Sequence, residues 1–186
     1  QVSLVQEDHR GAEGYLRHCF RHILSENAAD LVFLEEFEEK RKQEAGEMDS
    51  EPKLRERLEI VANNDFARCS YTEAVEIVQK VPGPKQGVPW EFPPKWGEEL
   101  QTEHEKYLAE SVFKRPVIVY NYPKDCKAFY MRLNDDNATV AAMDVLFPRV
   151  GEMVGGSQRE ERLDVLLRRM GEMGLKEEDY SAYLDT

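Results

Sequence analysis

The sequence predicts an α+β fold, with helices first and a sheet of antiparallel strands flanked by helices after them. Two observations carry this. Apolar residues recur at helical spacing through the first part of the chain. From residue 116 the texture changes to short β-branched and aromatic runs divided by turn residues. Helices followed by hairpin-connected strands mark the α+β class. Residues 1–113 read as mainly helical with a proline-rich loop at 82–95, and residues 114–186 as antiparallel strands plus C-terminal helices. At 186 residues, 41% hydrophobic, the chain can form one domain with a core.

The elements follow in order. Residues 7–26 form a helix whose stripe is Ala12, Tyr15, Leu16, Cys19, Phe20, Ile23 and Leu24. His18, His22 and Glu26 sit on successive turns of it, a solvated face unless a further ligand completes a metal site. A second helix, 29–45, has Leu31, Leu34 and Phe37 on its apolar side, Glu36–Lys40 and Glu38–Lys42 as i,i+4 pairs, and Gly46 as its stop. Ser50 caps a third helix bearing Leu54, Leu58 and Val61, which Asn63-Asn64-Asp65 breaks. Residues 66–69 are a short extended piece. Ser70 and Glu73 form a capping box that opens a helix to about residue 80. Five of the nine prolines fall in VPGPKQGVPWEFPP, which excludes regular structure. Trp90, Phe92 and Trp96 are its expected anchors. A second capping box, Thr102 to Glu105, opens a helix ending near Phe113, and nothing places His104 as a catalytic base. The strands are RPVIVYNYP, KAFYMRL, TVAAMDVLF and VGEMVGG, with Asn134 to Asn137 as a hairpin turn. Leu163, Leu166, Leu167 and Met170 then step along a helix from Glu160 that Gly171 and Gly174 end, and a short helix spans 176–183.

The net charge of −12 speaks against a broad nucleic-acid-binding surface, though not against a local basic patch. No apolar run approaches the roughly 20 residues of a membrane span. The start, QVSLVQEDHR, lacks the features of a signal peptide and an initiator Met, so the chain is expected to be a piece of something longer. Cys19, Cys69 and Cys126 form no C-x-x-C pair, which argues against a thiolate zinc site and for reduced thiols.

The chemistry concentrates between Asp144 and Arg162. A buried-looking run ends at Pro148, and a second apolar run is interrupted by Glu152. An acid in a strand-like segment is costly to bury unless paired or holding a cation. Gly155 and Gly156 follow, then Ser157 and, at an expected helix start, Arg159. Paired glycines permit close backbone approach or a sharp turn. Two acids, a glycine pair and an arginine suit a charged ligand accompanied by a divalent ion. The same residues also fit a plain strand-to-helix turn with Glu152 facing water at an edge.

The wording AFYMRLNDD, TVAAMDVL and GGSQREERLDVL resembles the class II aminoacyl-tRNA synthetases of the aspartyl/asparaginyl group, and within it the asparaginyl-tRNA synthetases of bacterial and organellar type. The likeness is dense over residues 116–175. It is thinner in WGEELQTEHEKYL and SYTEAVEI, and weak before them. It implies part of a class II antiparallel sheet, and thus a fragment of one catalytic domain. It implies an ATP-dependent asparagine–tRNA ligase: asparagine attacks the α-phosphate of ATP, and the adenylate passes its asparaginyl group to tRNA(Asn). It implies Asp144 and Glu152 as the acids that hold the ATP phosphates through Mg2+, and Arg159 as the arginine on the amino acid's side-chain carbonyl. Gly155, Gly156 and Ser157 then form the loop under the ligand. No side chain serves as a covalent catalyst. The resemblance further implies a homodimer in the cytoplasm or an organelle. The family's F-R-x-E arginine motif and its last motif are not found within residues 1–186, so this stretch by itself is expected to be inactive. The rival readings are an aspartyl-type enzyme, a class II paralogue that uses asparagine or aspartate without tRNA, and a non-enzymatic module of the same fold.

Overall fold

The computed structural model describes residues 4–46 and 52–185. The chain divides into two compact units, one of residues 7–66 and one of residues 67–186 with the first six.

The smaller unit is helical: α1 (Leu4–Glu26), α2 (Ala28–Ala45) and α3 (Leu54–Asn63). Leu16 of α1 is buried, but Tyr15, expected on the same stripe, is 69% exposed. His18, His22 and Glu26 are all exposed, in keeping with a solvated face. On α2 only Leu31 is buried, while Leu34 and Phe37 face outward, contrary to the expected apolar side. Gly46 ends α2 in the left-handed region (φ 68°), where a residue without a Cβ fits at no steric cost. The cap expected from Ser50 lies outside the described residues, and α3 begins after Lys53. Glu38 pairs with Arg57 of α3 at 3.0 Å. A polar tie closes the unit: Arg17 donates to Ala62 O and to Asp65, and the Phe66 N–H donates to the buried Glu13 carboxylate at 3.0 Å.

The larger unit is built on a four-stranded sheet of order β1-β2-β3-β4: β1 (Ala67–Ser70), β2 (Val117–Pro123), β3 (Thr139–Phe147) and β4 (Gly151–Ser157). The expected all-antiparallel sheet is corrected here. β1 runs parallel to β2, and only the other two pairings are antiparallel. A parallel neighbour needs a long crossover. The intervening chain supplies it through α4 (Tyr71–Gln79), the proline-rich loop and α5 (Thr102–Tyr107), which continues as a π-helical turn to Val112.

The Ser70 box that opens α4 is formed, with its hydroxyl accepting the Glu73 N–H and the Glu73 carboxylate accepting the Ser70 N–H. The second box sits one residue earlier than expected: Gln101 caps α5, and His104 Nδ1 accepts the Gln101 N–H. His104 is buried. Its Nε2–H donates to Phe92 O at 2.8 Å and its ring stands edge-on to Trp90, so it ties down the loop as a neutral imidazole, with burial lowering its pKa. Trp90 is a buried anchor of the loop, and Trp96, though half exposed, donates its indole N–H to Thr72 Oγ1 at 3.0 Å and stands edge-on to Tyr71. Phe92 is half exposed, and its backbone N–H is held by Glu103 instead.

The core lies on one sheet face, where Val117, Val119, Ala142 and Leu146 meet Tyr71, Ala74, Val75 and Val78 of α4. Each fully buried aliphatic side chain there contributes about 1.5–3 kcal/mol. KAFYMRL, expected as a strand, is irregular: the Met131 N–H turns back to Ala128 O, and only isolated bridges at Met131 and Leu133 remain. The Asn134–Asn137 turn does form, with the Asn137 N–H on Asn134 O and Asn134 joined to Thr139. The helix expected from Glu160 begins later, as α6 (Leu163–Glu172), and a short α7 (Ser181–Leu184) ends the described chain.

Candidate active site

Asp144 is in the middle of β3, paired with Val119 on β2 and Gly155 on β4. It is the charged residue of a wholly buried strand, with 6% of its surface exposed. Its Oδ2 accepts a hydrogen bond from Lys127 Nζ at 2.8 Å, and that ammonium also rests 4.1 Å from the Tyr122 ring centroid. Tyr122 is buried, and its hydroxyl has no hydrogen-bond partner of ordinary geometry. Burial first, and then the charge of Asp144, hold that phenol well above its ordinary pKa, with Glu105 and Glu152 adding to the effect.

Glu152 lies on β4, an edge strand, and is exposed as an edge residue should be. It nonetheless reaches the same point as Asp144. A Cβ placed on Gly155 would stand 2.6 Å from Glu152 Oε1 and 3.3 Å from Asp144 Oδ1. Gly155 is therefore small because two carboxylates converge over it. Gly156 would meet the Met143 side chain at 3.3 Å. Both glycines lie inside β4, so neither is the strand-to-helix turn that the sequence also allowed.

The acids repel one another. Partial burial and then Asp144 raise the Glu152 pKa, with Lys127 pulling it back. Glu105 of α5 joins them. Burial raises its pKa, the Glu152 N–H lowers it, and the charges of Glu152 and Asp144 raise it again, so the balance is upward. Three carboxylates offset by one lysine are electrostatically short of positive charge. Asp144 and Glu152 are hard oxygen donors that converge, which fits a hard divalent cation sharing its remaining positions with phosphate oxygens. A closed all-protein cage does not fit: among the described residues no group of three or more His, Cys, Asp or Glu side chains is arranged to hold a metal.

Arg159 is exposed and lies in an extended bridge with Met131, four residues before α6. Its expected place at a helix start is thus corrected. The chain stays extended because the fully buried Glu160 carboxylate takes the Leu133 N–H at 2.9 Å and Arg162 Nε at 2.7 Å. Arg159 Nη1 donates to Ser157 Oγ at 2.7 Å, and its guanidinium lies 4.6 Å from the Tyr130 ring centroid. The neighbouring acids are committed elsewhere, Glu160 to Arg162 and Glu161 to Arg132. Ser157 pairs with Ala142, two residues from Asp144 on β3, so Arg159 approaches the acid cluster from the same stretch of sheet.

The sequence does not single out Lys127, Tyr122 or Glu105 as site residues, and it reads Tyr130, with Phe129, as packing the sheet sooner than touching a substrate. Lys127 and Tyr130 are in a run that reads as a plain strand, and Glu105 is one acid among many. No spacing signal marks them.

A family model described as tRNA synthetases class II (D, K and N) matches residues 7–186. A protein of Desulfitobacterium hafniense named asparagine–tRNA ligase is 50% identical over 97% of this chain and 35% of its own length. One of the same name from Nitratidesulfovibrio vulgaris is 54% identical over 97% of this chain and 36% of its own. The chain therefore spans about a third of the length of the curated relatives it matches. Among solved structures, the asparaginyl-tRNA synthetase of Pyrococcus horikoshii complexed with asparaginyl-adenylate is similar at a TM-score of 0.75 and 31% identity, over 97% of this chain and 36% of that one. Since the family model matches residues 7–186, nearly the whole length, the chain belongs to the class II tRNA synthetases of the D, K and N group.

Proposed function

We propose that residues 1–186 form part of the catalytic domain of an asparagine–tRNA ligase, which uses ATP to activate asparagine and transfers it to tRNA(Asn). The observation that carries this reading is the convergence of Asp144 and Glu152 over Gly155, with Arg159 held on Ser157 at the end of the same strand and paired to neither neighbouring acid. The relatives' names support asparagine over aspartate.

In this reading the asparagine carboxylate attacks the α-phosphorus of ATP, the bond from that phosphorus to the α,β-bridging oxygen breaks, and pyrophosphate leaves with that oxygen. Mg2+, when bound, would neutralise charge on the phosphate oxygens. Asp144 and Glu152 are the residues that would hold that ion. Lys127 fixes the orientation of the Asp144 carboxylate through their 2.8 Å ion pair. Gly155 keeps the strand surface low enough for a ligand to lie on it. Arg159 offers its planar fork to the side-chain carbonyl oxygen of asparagine, a geometry lysine cannot copy. Catalysis is positioning and charge stabilisation, with no covalent enzyme intermediate. The complete protein acts as a homodimer in the cytoplasm or an organelle. Among the described residues no helix is long and apolar enough to cross a membrane.

The test is amino-acid-dependent exchange of pyrophosphate into ATP by the full-length protein. Exchange with asparagine and not with aspartate at equal concentration is expected. Equal exchange with aspartate, or none with either, refutes the reading.

A further inference from the structure

Strand β4 carries one residue more than β3 can pair. Val154 faces Val145, but Leu146 faces Glu152, so Met153 is an extra, unpaired residue. The count has a chemical consequence. Strand side chains alternate between faces. In an unbroken ladder Glu152, three residues from Gly155, would lie on the face opposite Gly155 and its partner Asp144. The bulge returns it to the Asp144 face, where its Oε1 is found over Gly155. A slip of one residue would undo this by exchanging Glu152 for Met153.

One side chain from outside the hairpin grips this spot. Glu105 Oε2, on α5, accepts the Glu152 N–H at 3.3 Å. The same oxygen lies 2.8 Å from where a Cβ on Gly151 would stand, and Gly151 has φ +87°, a conformation that glycine adopts without strain. We propose that Glu105 is a positioning residue: it holds the bulge at Gly151–Met153 in register through the Glu152 backbone and so turns the Glu152 side chain toward Asp144. The inference rests on the proposed reading of Asp144 and Glu152 as the acids that hold the ATP-bound cation. A role for Glu105 as a third cation ligand is disfavoured, because no group of three such side chains among the described residues is arranged for a metal.

The two roles separate by substitution in the full-length protein, read as the Mg2+ concentration giving half-maximal asparagine-dependent pyrophosphate exchange. Glu105→Ala removes the acceptor and should raise that concentration about 2- to 12-fold, the worth of one ordinary hydrogen bond, with the KM for asparagine unchanged. Glu105→Gln keeps an oxygen acceptor and discards the charge, and should stay near wild type. A Glu105→Gln enzyme as impaired as Glu105→Ala overturns the proposal in favour of a charge role, and so does an unaffected Glu105→Ala enzyme. If Glu105→Ala does not fold, Glu105→Asp takes its place: it keeps the charge and shortens the side chain by one methylene, so it should raise the Mg2+ requirement as a broken contact would, and a wild-type requirement overturns the proposal. Asp144→Asn in the same assay distinguishes the two failures. A normal Mg2+ requirement in Asp144→Asn removes the site reading and this inference with it. A raised requirement there, beside a silent Glu105→Ala, removes Glu105 alone.

Discussion

Replacing Arg159 by lysine keeps the positive charge and removes the planar fork. In the free protein the guanidinium is exposed, hydrogen-bonded to Ser157 at 2.7 Å and laid over Tyr130 at 4.6 Å. An exposed cation–π contact is worth about 0.5–1 kcal/mol, so the variant should lose little stability. Substrate binding should lose more. A hydrogen bond to a charged group is worth about 1.5–3 kcal/mol. At 1.36 kcal/mol per factor of ten, its loss costs on the order of 10- to 150-fold. The assay is asparagine-dependent pyrophosphate exchange by the full-length protein, with kcat/KM measured separately for asparagine and ATP. The asparagine value should fall within that range, and the ATP value and the melting temperature should stay nearly constant. Intact asparagine kinetics with only the melting temperature lowered would show that Arg159 is a structural residue worth about 0–1 kcal/mol, and the amino-acid pocket would be misplaced.

Gly155→Ala should leave the fold intact, because the atom its Cβ would strike at 2.6 Å is the mobile end of Glu152. It should raise the Mg2+ requirement of exchange about tenfold or more, the effect of one displaced charged contact; an unchanged requirement means that the two acids need not converge. Glu160→Gln tests the segment that carries Arg159. Burial pushes the Glu160 carboxyl up, but hydrogen bonds from Arg162 and the Leu133 N–H outweigh it, and its pKa ends below the usual carboxylate value. A carboxylate lowered in the folded state stabilises above its unfolded pKa, and that stability is lost as pH falls through the folded pKa. Glu160→Gln should therefore cost about 1–3 kcal/mol near neutrality in chemical unfolding and flatten the loss of stability on acidification. An acid limb as steep as in the wild type would count against this.

The sequence revealed much of the fold, because alternation and capping are local. The β3 run TVAAMDVLF is the buried strand its apolar character announces, and the Ser70 box opens α4 as its spacing requires. The errors have non-local causes. The direction of β1 depends on what crosses back between residues 71 and 116, which no four-residue strand records. KAFYMRL has the composition of a strand, but a turn at Ala128–Met131 and the pull of Glu160 on the Leu133 N–H break its ladder. The site was legible only in part. Asp144 stands out as an acid in an apolar run. Glu152 does not belong beside it by period alone, since regular alternation from Gly155 sends it to the other face, and only the bulge brings it back. The residue pattern groups the two acids with the glycines and Arg159, and the family resemblance gives them a shared role, but neither contains the bulge that brings Glu152 to the Asp144 face. Lys127 and Glu105 reach the site from distant elements, and nothing in their neighbours signals it.

The most direct measurement is the capture of enzyme-bound asparaginyl-adenylate. Full-length protein would be incubated with ATP, labelled asparagine and pyrophosphatase, then separated rapidly from free ligand. The wild type should retain labelled adenylate in stoichiometric amount, and the Asp144→Asn, Glu152→Gln double variant, folded to the same melting temperature, should retain almost none at the same Mg2+ concentration. Equal adenylate in the double variant would contradict the assignment of these two carboxylates to amino-acid activation.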